Sequence, residues 1–173
     1  LLDAQDRVKN LSSVKETVEY ETLEKLHKAG ISPISAHEIT GSFKGRQSIL
    51  SKIREIVQGA KKEILIATSI GDFEDKSRVL VPAIQEAAQN KIKVHLALDG
   101  QISKLKKINA KQNIKISEAA TGAKLFIADR KEVFFMITPE NSEEEVGIWL
   151  NSAFFAQSLA SMLETHLEDK KRQ

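Results

Sequence analysis

The alternation of apolar and polar positions after residue 40 predicts a regular succession of helices and strands. Short, nearly continuous apolar runs indicate buried strands, whereas apolar residues spaced by three and four indicate amphipathic helices. The predicted helices are Gly45–Ala60, Lys76–Asn90, Gln101–Lys111 and a last helix that Ser152 caps and that ends near Asp169. The predicted strands are Glu63–Ser69, Ile92–Leu98, Ile114–Ser117, Leu125–Ala128, Val133–Ile137 and Val146–Asn151, with His37–Thr40 as a candidate edge strand. Gly71-Asp72 and the acidic segment 138–145 are predicted loops. On the last helix, the expected packing face consists of Phe154, Phe155, Leu159, Met162, Leu163 and Leu167.

The order of these elements predicts the fold class. Helices and strands alternate up to the third strand, which favours parallel strands joined by right-handed crossovers. The later strands follow one another through short connections, which favours antiparallel pairing. The sequence therefore predicts an α/β sandwich built on a mixed sheet.

The first 30 residues have a different pattern. They predict one long helix, Leu1–Ala29, which Gly30 ends. Its apolar positions follow about three heptads, broken by Lys15, and charged residues fill the other faces. Two interpretations are open, and pairing with a second copy is favoured over packing against its own domain. We expect two domains, a coiled-coil dimerisation helix at 1–30 and a globular domain at 41–173.

Composition excludes several classes of protein. The 173 residues include no Cys, which excludes disulfides, a thiol nucleophile and thiolate metal sites and fits a reducing cytoplasm. There is no apolar run of about 18 residues and no signal peptide, so we expect a cytoplasmic protein without membrane contact. A net charge of +2 does not by itself indicate nucleic-acid binding. Because the chain begins at Leu1 without an initiator Met, we expect a fragment of a longer protein.

The segment Thr121–Ile137 carries the most informative motif. Lys124 and Asp129 show the spacing Lys-x-x-x-x-Asp across a predicted strand and turn. This spacing resembles that of the phospholipase D superfamily, whose pattern is His-x-Lys-x-x-x-x-Asp. The resemblance implies that a His two residues before the Lys would act as the nucleophile. Gly122 occupies the His position here and has no side chain that can attack phosphorus. The alternative is an ordinary hairpin with a solvated Lys124 and Asp129 as a turn residue.

A second resemblance covers nearly the whole chain. It depends on Gly45, the segment Ala60–Ile66, Lys124 with Asp129, and Ile148–Asn151 leading into the last helix. In this order the motifs resemble the C-terminal half of TrmB-like transcriptional regulators, an archaeal-type family. The resemblance implies a phospholipase-D-like domain that binds a small effector, often a sugar, and a homodimer. It also implies that DNA is bound by a winged helix absent from this fragment.

In an open α/β sheet, ligands bind beyond the carboxyl ends of the strands. The candidate ligand-binding residues at those ends are Ser69, Asp72, Asp99, Lys124, Trp149 and Asn151. For Trp149, packing in the core is favoured over contact with a ligand. Asp72 and Asp99 each adjoin a Gly, so the alternative to ligand binding is that they form turns. Basic residues in Gln101–Lys111, and the group Lys44, Arg46, Lys52 and Arg54, suggest either phosphate contacts or, preferentially, a solvated face.

These observations favour a non-catalytic effector-binding and dimerisation module that needs no cofactor and no metal. Two alternatives remain open. One is a phosphodiesterase of the phospholipase D type, and the other is a purely structural dimerisation module.

Overall fold

The computed structural model describes residues 40–104, 113–140 and 142–169, and for Lys104 and Asp169 it describes the backbone alone. Its strands are β1 (Thr40–Lys44), β2 (Glu63–Ser69), β3 (Lys93–Asp99), β4 (Ile114–Glu118), β5 (Leu125–Ala128), β6 (Glu132–Met136) and β7 (Val146–Asn151). Its α-helices are α1 (Arg46–Gly59), α2 (Ile70–Asp75), α3 (Ser77–Gln89) and α4 (Ala153–Asp169), and a 3-10 turn spans Ile102–Lys104. The predicted coiled-coil helix at 1–30 lies outside the described residues.

The described strands form one sheet in the order β1-β7-β6-β5-β2-β3-β4. β2, β3 and β4 are parallel, and β5, β6, β7 and β1 join by antiparallel pairing. Helices α1 and α3 connect strands whose directions require a crossover, whereas β5 and β6 need only the tight turn at Asp129 and Arg130. The predicted α/β sandwich with a mixed sheet is confirmed.

Helices cover both faces of the sheet. On one face, α1 and α3 contribute Ile49, Ile53, Leu80 and Ile84 to a core with Ile66, Leu96 and Phe126 of the strands. On the other face, α4 packs against a second cluster that includes Leu65, Ala67, Ile127 and Val133. Strand β2 is buried along five consecutive positions because its side chains enter both cores alternately.

The packing face predicted for α4 is half wrong. The helix buries Ala156, Ala160, Leu163 and Leu167, which recur at helical spacing. Three of the six predicted residues are exposed: Phe154 is 83% exposed, Met162 is 69% exposed and Phe155 is 37% exposed. The two alanines lie in the same cluster as the small side chains Ala67 and Ala97 of the sheet, where short side chains allow close packing. Leu163 and Leu167 of the predicted face are therefore buried, whereas Phe154, Phe155 and Met162 lie at the edge of that contact or outside it.

The edge strand and the segment after β2 also differ from the prediction. The edge strand begins at Thr40 and extends through Lys44, whereas residues 37–39 of the predicted strand lie outside the described residues. Gly71-Asp72 is not a loop, because both residues lie in α2. Ser69 caps this helix by accepting a hydrogen bond from the backbone N–H of Asp72 at 3.0 Å. Of the predicted helix Gln101–Lys111, residues 105–111 lie outside the described residues, and a 3-10 turn spans Ile102–Lys104.

In the described parts of the chain, none of the helices combines the length and the apolarity that a membrane crossing requires.

Candidate functional site

The topology brings polar residues from three strands to one edge of the sheet. Ser69 and Asp99 end the parallel strands β2 and β3 and are partners in register. Lys124 precedes β5, which runs antiparallel to β2 with Leu125 opposite Ala67, so Lys124 reaches the same edge. β6 returns to this edge too, where the backbone N–H of Met136 donates to the carbonyl of Lys124 at 2.9 Å.

These residues line a cavity of about 600 Å³. Its polar side contains Ser69, Asp99, Gly122 and Lys124. Its apolar side is formed by Leu125, Phe135, Met136, Phe155 and Leu159, and Thr138, Pro139 and Glu140 of the β6–β7 loop border it. The volume falls within the range of about 300–1,000 Å³ that is typical of small-molecule sites.

A buried charge cluster supports the polar side. The Asp72 carboxylate is almost fully buried and accepts hydrogen bonds from Lys76 Nζ at 2.6 Å, Lys124 Nζ at 3.1 Å and the Thr68 hydroxyl at 2.9 Å. Lys76 is only 1% exposed, and its Nζ also donates to Glu145 Oε1 at 2.9 Å. Ions buried in this way are retained only when they are paired and hydrogen-bonded.

The pairing decides the ionisation of both buried partners. Burial alone raises the pKa of the Asp72 carboxyl, but hydrogen bonds and charge from Lys76 and Lys124 outweigh burial, so the pKa lies below its ordinary value. Burial alone lowers the pKa of Lys76, but the hydrogen bonds that its Nζ donates to Asp72 and Glu145 outweigh that effect, so its pKa lies above its ordinary value. Both groups are therefore charged at neutral pH.

Glu140, in the β6–β7 loop, borders the polar side of the cavity. Its Oε1 accepts a short hydrogen bond from the Ser69 hydroxyl and lies 3.7 Å from Lys124 Nζ. Glu140 and Lys124 also border a second cavity of about 790 Å³, where Asp72, Asp75, Glu143, Glu144 and Glu145 supply an acidic lining and Arg46 a basic one. Within the described residues, these carboxylates do not form a group of three or more that could hold a metal ion.

Gly122 lies where the phospholipase D pattern has its nucleophile. Its φ of +55° lies in the left-handed region, which favours glycine. A Cβ built at this position would meet no other atom within 4 Å, so the space in front of it is open. The position faces the cavity but brings no nucleophile to it.

Asp129, the other member of the motif, lies at the opposite end of β5 from Lys124. Its carboxylate accepts hydrogen bonds from the backbone N–H groups of Lys61 at 2.9 Å, Lys62 at 2.7 Å and Glu63 at 3.1 Å. Burial raises its pKa, and these three backbone donors lower it further than burial raises it. Asp129 therefore holds the start of β2 in place and does not reach the cavity.

Of the six candidate residues, the structure brings Ser69, Asp99 and Lys124 together in the cavity, with Asp72 bound to Lys124. Asn151 lies at the opposite edge, paired in register with Glu132, because β7 runs antiparallel to β6. The grouping of Asn151 with the other candidate residues is therefore wrong, because the end of β7 lies away from the ends of β2 and β3.

Trp149 packs against the core on the α1 side of the sheet. Its indole N–H donates to Glu132 at 2.7 Å, and Lys52 Nζ lies 4.3 Å from the ring centroid. This is the alternative of core packing, and the residue does not line the cavity.

The basic group near α1 is largely paired with carboxylates. Lys44 contacts Glu144 at 2.7 Å, Arg46 contacts Asp75 at 2.5 Å, and Lys52 contacts Glu55 at 2.8 Å. The structure thus gives these cations partners within the domain. Most of the Lys-rich segment Gln101–Lys111 lies outside the described residues.

Sequence reasoning missed Lys76, Glu140 and the apolar side of the cavity. Lys76 lies four residues after Asp72, a spacing that brings two side chains together on a helix, but Asp72 was predicted in a loop and Lys76 at the start of the next helix. Glu140 is one acid in an acidic loop, and no local pattern distinguishes it. Phe135 and Phe155 come from separate elements, so only the fold shows that they share a cavity.

The fold and the motif spacing together define a phospholipase-D-like α/β domain, with Gly122 at the His position of the sequence pattern. Residues 42–166 match the family described as the N-terminal subdomain of the EBD of the transcriptional regulator TrmB. The chain therefore belongs to this family, as its motif order indicated. No curated protein sequence matches the chain.

Solved structures share the fold. TrmBL2, described as an archaeal chromatin protein with a novel mode of DNA binding, is 19% identical with a TM-score of 0.59. The match covers 97% of this chain and 66% of TrmBL2, so this chain spans about two-thirds of that protein. NucT from Helicobacter pylori is 21% identical with a TM-score of 0.56, covering 75% of this chain and 95% of NucT. Nuc from Salmonella typhimurium, a phospholipase D family member, is 14% identical with a TM-score of 0.50, covering 73% of this chain and 92% of Nuc.

Proposed function

We propose that this chain is the effector-binding part of a DNA-binding transcriptional regulator and that it does not catalyse a reaction. Membership of the TrmB family supports the regulatory function. The observation that carries the non-catalytic assignment is Gly122, which places a backbone without a side chain beside Lys124 in a cavity of about 600 Å³. A site that binds but has no nucleophile is what a sensor requires.

In this proposal a small polar effector binds between Ser69, Asp99 and Lys124. The Lys124 ammonium and the Ser69 hydroxyl are hydrogen-bond donors, and the Asp99 carboxylate is an acceptor. The buried Asp72 fixes the position of Lys124 through the 3.1 Å contact, so the donor is oriented before the ligand arrives. An effector that binds two domain arrangements with different affinity would change DNA affinity by about 1–3 kcal/mol.

The proposal extends to DNA and to a second copy of the chain. DNA would be bound by a domain outside this chain, and residues 1–30 would pair two copies of the chain. The whole protein would be cytoplasmic. The description of TrmBL2 as DNA-binding and the heptad pattern of residues 1–30 support this extension. Sedimentation velocity of the intact chain tests the pairing, and a monomer at all concentrations up to the millimolar range contradicts it.

The effector site is tested by titrating the isotope-labelled chain with sugars, nucleotides and amino acids. We expect one class to cause saturable NMR shifts centred on the amides of Ser69, Asp99 and Lys124. A chain that responds to none of these classes has an empty cavity, and the purely structural dimerisation module then becomes the better description.

A phosphodiesterase is the second candidate, because the fold of NucT and Nuc is shared and Lys124 lies in the cavity. No His is found among the described residues that line the cavity. The test is hydrolysis of bis(p-nitrophenyl) phosphate by the wild type and by Lys124→Met. We expect no turnover by either protein, whereas turnover that disappears in Lys124→Met would establish the enzyme.

A further inference from the structure

One carboxylate of the chain already occupies the polar end of the cavity. Oε1 of Glu140 contacts both the Ser69 hydroxyl and, at 3.7 Å, the Lys124 ammonium. The Glu140 side chain is 44% exposed and is carried by the β6–β7 loop. A hydroxyl and an ammonium that converge on one carboxylate oxygen form a carboxylate-binding position.

Release of Glu140 leaves the supporting charge cluster balanced. Two carboxylates, Asp72 and Glu145, then face two ammonium groups, Lys76 and Lys124. Lys124 keeps its contact with Asp72, and Glu140 returns to water at low cost because it is already partly hydrated. An incoming carboxylate can therefore replace Glu140 without creating an unpaired buried charge.

Asp99 provides the complementary charge. Its carboxylate lines the same cavity, is half-buried, and makes no hydrogen bond or ion pair with the part of the chain that the structure describes. Asp99 and Ser69 are register partners on neighbouring strands, which lie about 4.7–4.9 Å apart. Asp99 therefore adjoins the Ser69 side of the carboxylate-binding position and adds a negative charge there.

The remaining side of the cavity is apolar. Phe135, Phe155 and Leu159 lie there with Leu125 and Met136, so a ligand's hydrocarbon part is removed from water on binding. A sugar would place hydroxyl groups against this surface without hydrogen-bond partners, which costs free energy. The surface favours an aliphatic or aromatic group.

We propose that the cavity binds an apolar α-amino acid. The ligand's carboxylate displaces Glu140 from Ser69 and Lys124, its ammonium group faces Asp99, and its side chain lies against Phe135 and Phe155. This inference depends on the proposed function, since it names the effector class of the same cavity. The β6–β7 loop then reports occupancy, because Glu140 is released only when the ligand is bound.

Three probes that differ by one charged group test the proposal on the intact chain by isothermal titration calorimetry. L-phenylalanine has both charges, 3-phenylpropanoate lacks the ammonium group, and 2-phenylethylamine lacks the carboxylate. We expect L-phenylalanine to bind at least about tenfold more tightly than either analogue, a difference of about 1.4 kcal/mol.

Variants separate the two ends of the ligand. Glu140→Gln removes the competing carboxylate and should tighten both L-phenylalanine and 3-phenylpropanoate severalfold, without tightening 2-phenylethylamine. Asp99→Asn should weaken L-phenylalanine about tenfold and should not weaken 3-phenylpropanoate. Glu143→Gln is the matched control, because it makes the same charge change in the same loop without contacting Ser69 or Lys124, and it should leave all three affinities unchanged.

The outcomes distinguish this inference from the function on which it depends. Binding of glucose in the cavity without binding of the phenyl probes overturns the amino-acid assignment and leaves an effector domain in place. Equal affinities for L-phenylalanine and 3-phenylpropanoate, unchanged in Asp99→Asn, overturn the ammonium position. Equal effects of Glu140→Gln and Glu143→Gln overturn the displacement, and a cavity that binds none of the probes or metabolites overturns both proposals.

Discussion

Oδ1 of Asp129 lies 2.7 Å from the backbone nitrogen of Lys62, at the opposite end of β5 from the cavity. The acid that completes the Lys-x-x-x-x-Asp spacing therefore joins the β5–β6 turn to the segment that enters β2. Of the two motif residues, only Lys124 reaches the candidate site. The Asp of this motif therefore stabilises the fold in this chain and does not line the cavity.

Replacing Asp129 by Ala should lower the free energy of unfolding by about 2–3 kcal/mol. The change removes a charged acceptor from three backbone N–H groups, and Ala is disfavoured at the φ of +53° found here. Asp129→Asn should cost about 1 kcal/mol, because the amide keeps one acceptor oxygen and tolerates the turn. Urea unfolding measures both, and an Asp129→Ala protein as stable as the wild type would refute the structural role.

Gly147 is the second position where we expect a large loss of stability. A Cβ added there would lie 2.3 Å from Cζ of the buried Phe134 ring. Gly147→Ala should therefore cost about 1–3 kcal/mol through overpacking. The double variant Gly147→Ala, Phe134→Leu should lose less stability than the sum of the two single variants, because the shorter side chain no longer clashes with the added Cβ.

Gly59→Ala is the matched control, because a Cβ at Gly59 would meet no atom within 4 Å and the residue ends α1. We expect this variant to equal or slightly exceed wild-type stability, since Ala favours helix over Gly. Equal losses for Gly147→Ala and Gly59→Ala would show that contact with Phe134 is not the cause.

Adjacent residues on α4 should respond very differently to truncation. Leu163 is 7% exposed and belongs to the second core, so Leu163→Ala should cost about 2–4 kcal/mol. Met162 is 69% exposed, and Met162→Ala should change the free energy of unfolding by less than about 0.5 kcal/mol. Chemical denaturation at several protein concentrations measures both values. A large, concentration-dependent loss in Met162→Ala would contradict its assignment as a solvated residue.

Stability should fall in acid. The pKa values of Asp72 and Asp129 are lowered in the folded chain, so the unfolded chain binds protons more readily. Their contribution is complete above the unfolded pKa, about 3.9, and is lost as the pH falls through the lower folded value. The raised pKa of Lys76 acts at the other extreme, where its contribution is lost only above the unfolded value of about 10.4.

Urea unfolding from pH 2.5 to pH 7 at constant ionic strength measures this dependence. We expect a plateau above about pH 5 and a decline below about pH 4. Asp129→Asn should decline less steeply than the wild type, because one of the carboxyl groups with a lowered pKa is absent. Parallel curves for the two proteins would show that Asp129 does not contribute.

Most of the fold follows from local patterns. The apolar run Glu63–Ser69 predicted β2 with both of its boundaries, and the Asp129 turn predicted the β5–β6 hairpin. Helices α1 and α3 lie within one residue of their predicted limits. These features depend on neighbours in the sequence, where helical or strand periodicity and turn chemistry dominate.

The site needed the tertiary structure. Its polar and apolar sides combine Ser69, Lys124, Phe135, Glu140 and Phe155, which are separated by many residues along the chain. Asn151 was assigned to the same edge as Ser69, but the direction of β7 depends on pairing with β6 and places it at the other edge.

By itself, the sequence determined that Gly122 stands where the phospholipase D pattern has its His, and it predicted an α/β sheet with Lys124 near its strand ends. Only the tertiary structure decided that Asp72 and not Asp129 pairs with Lys124, and that Glu140 contacts Ser69 at the same end of the cavity. Covalent chemistry and local periodicity are properties of the residues themselves. Charge pairing in a buried site depends on distances across the sheet, which the packing of β2, β5 and β6 alone establishes.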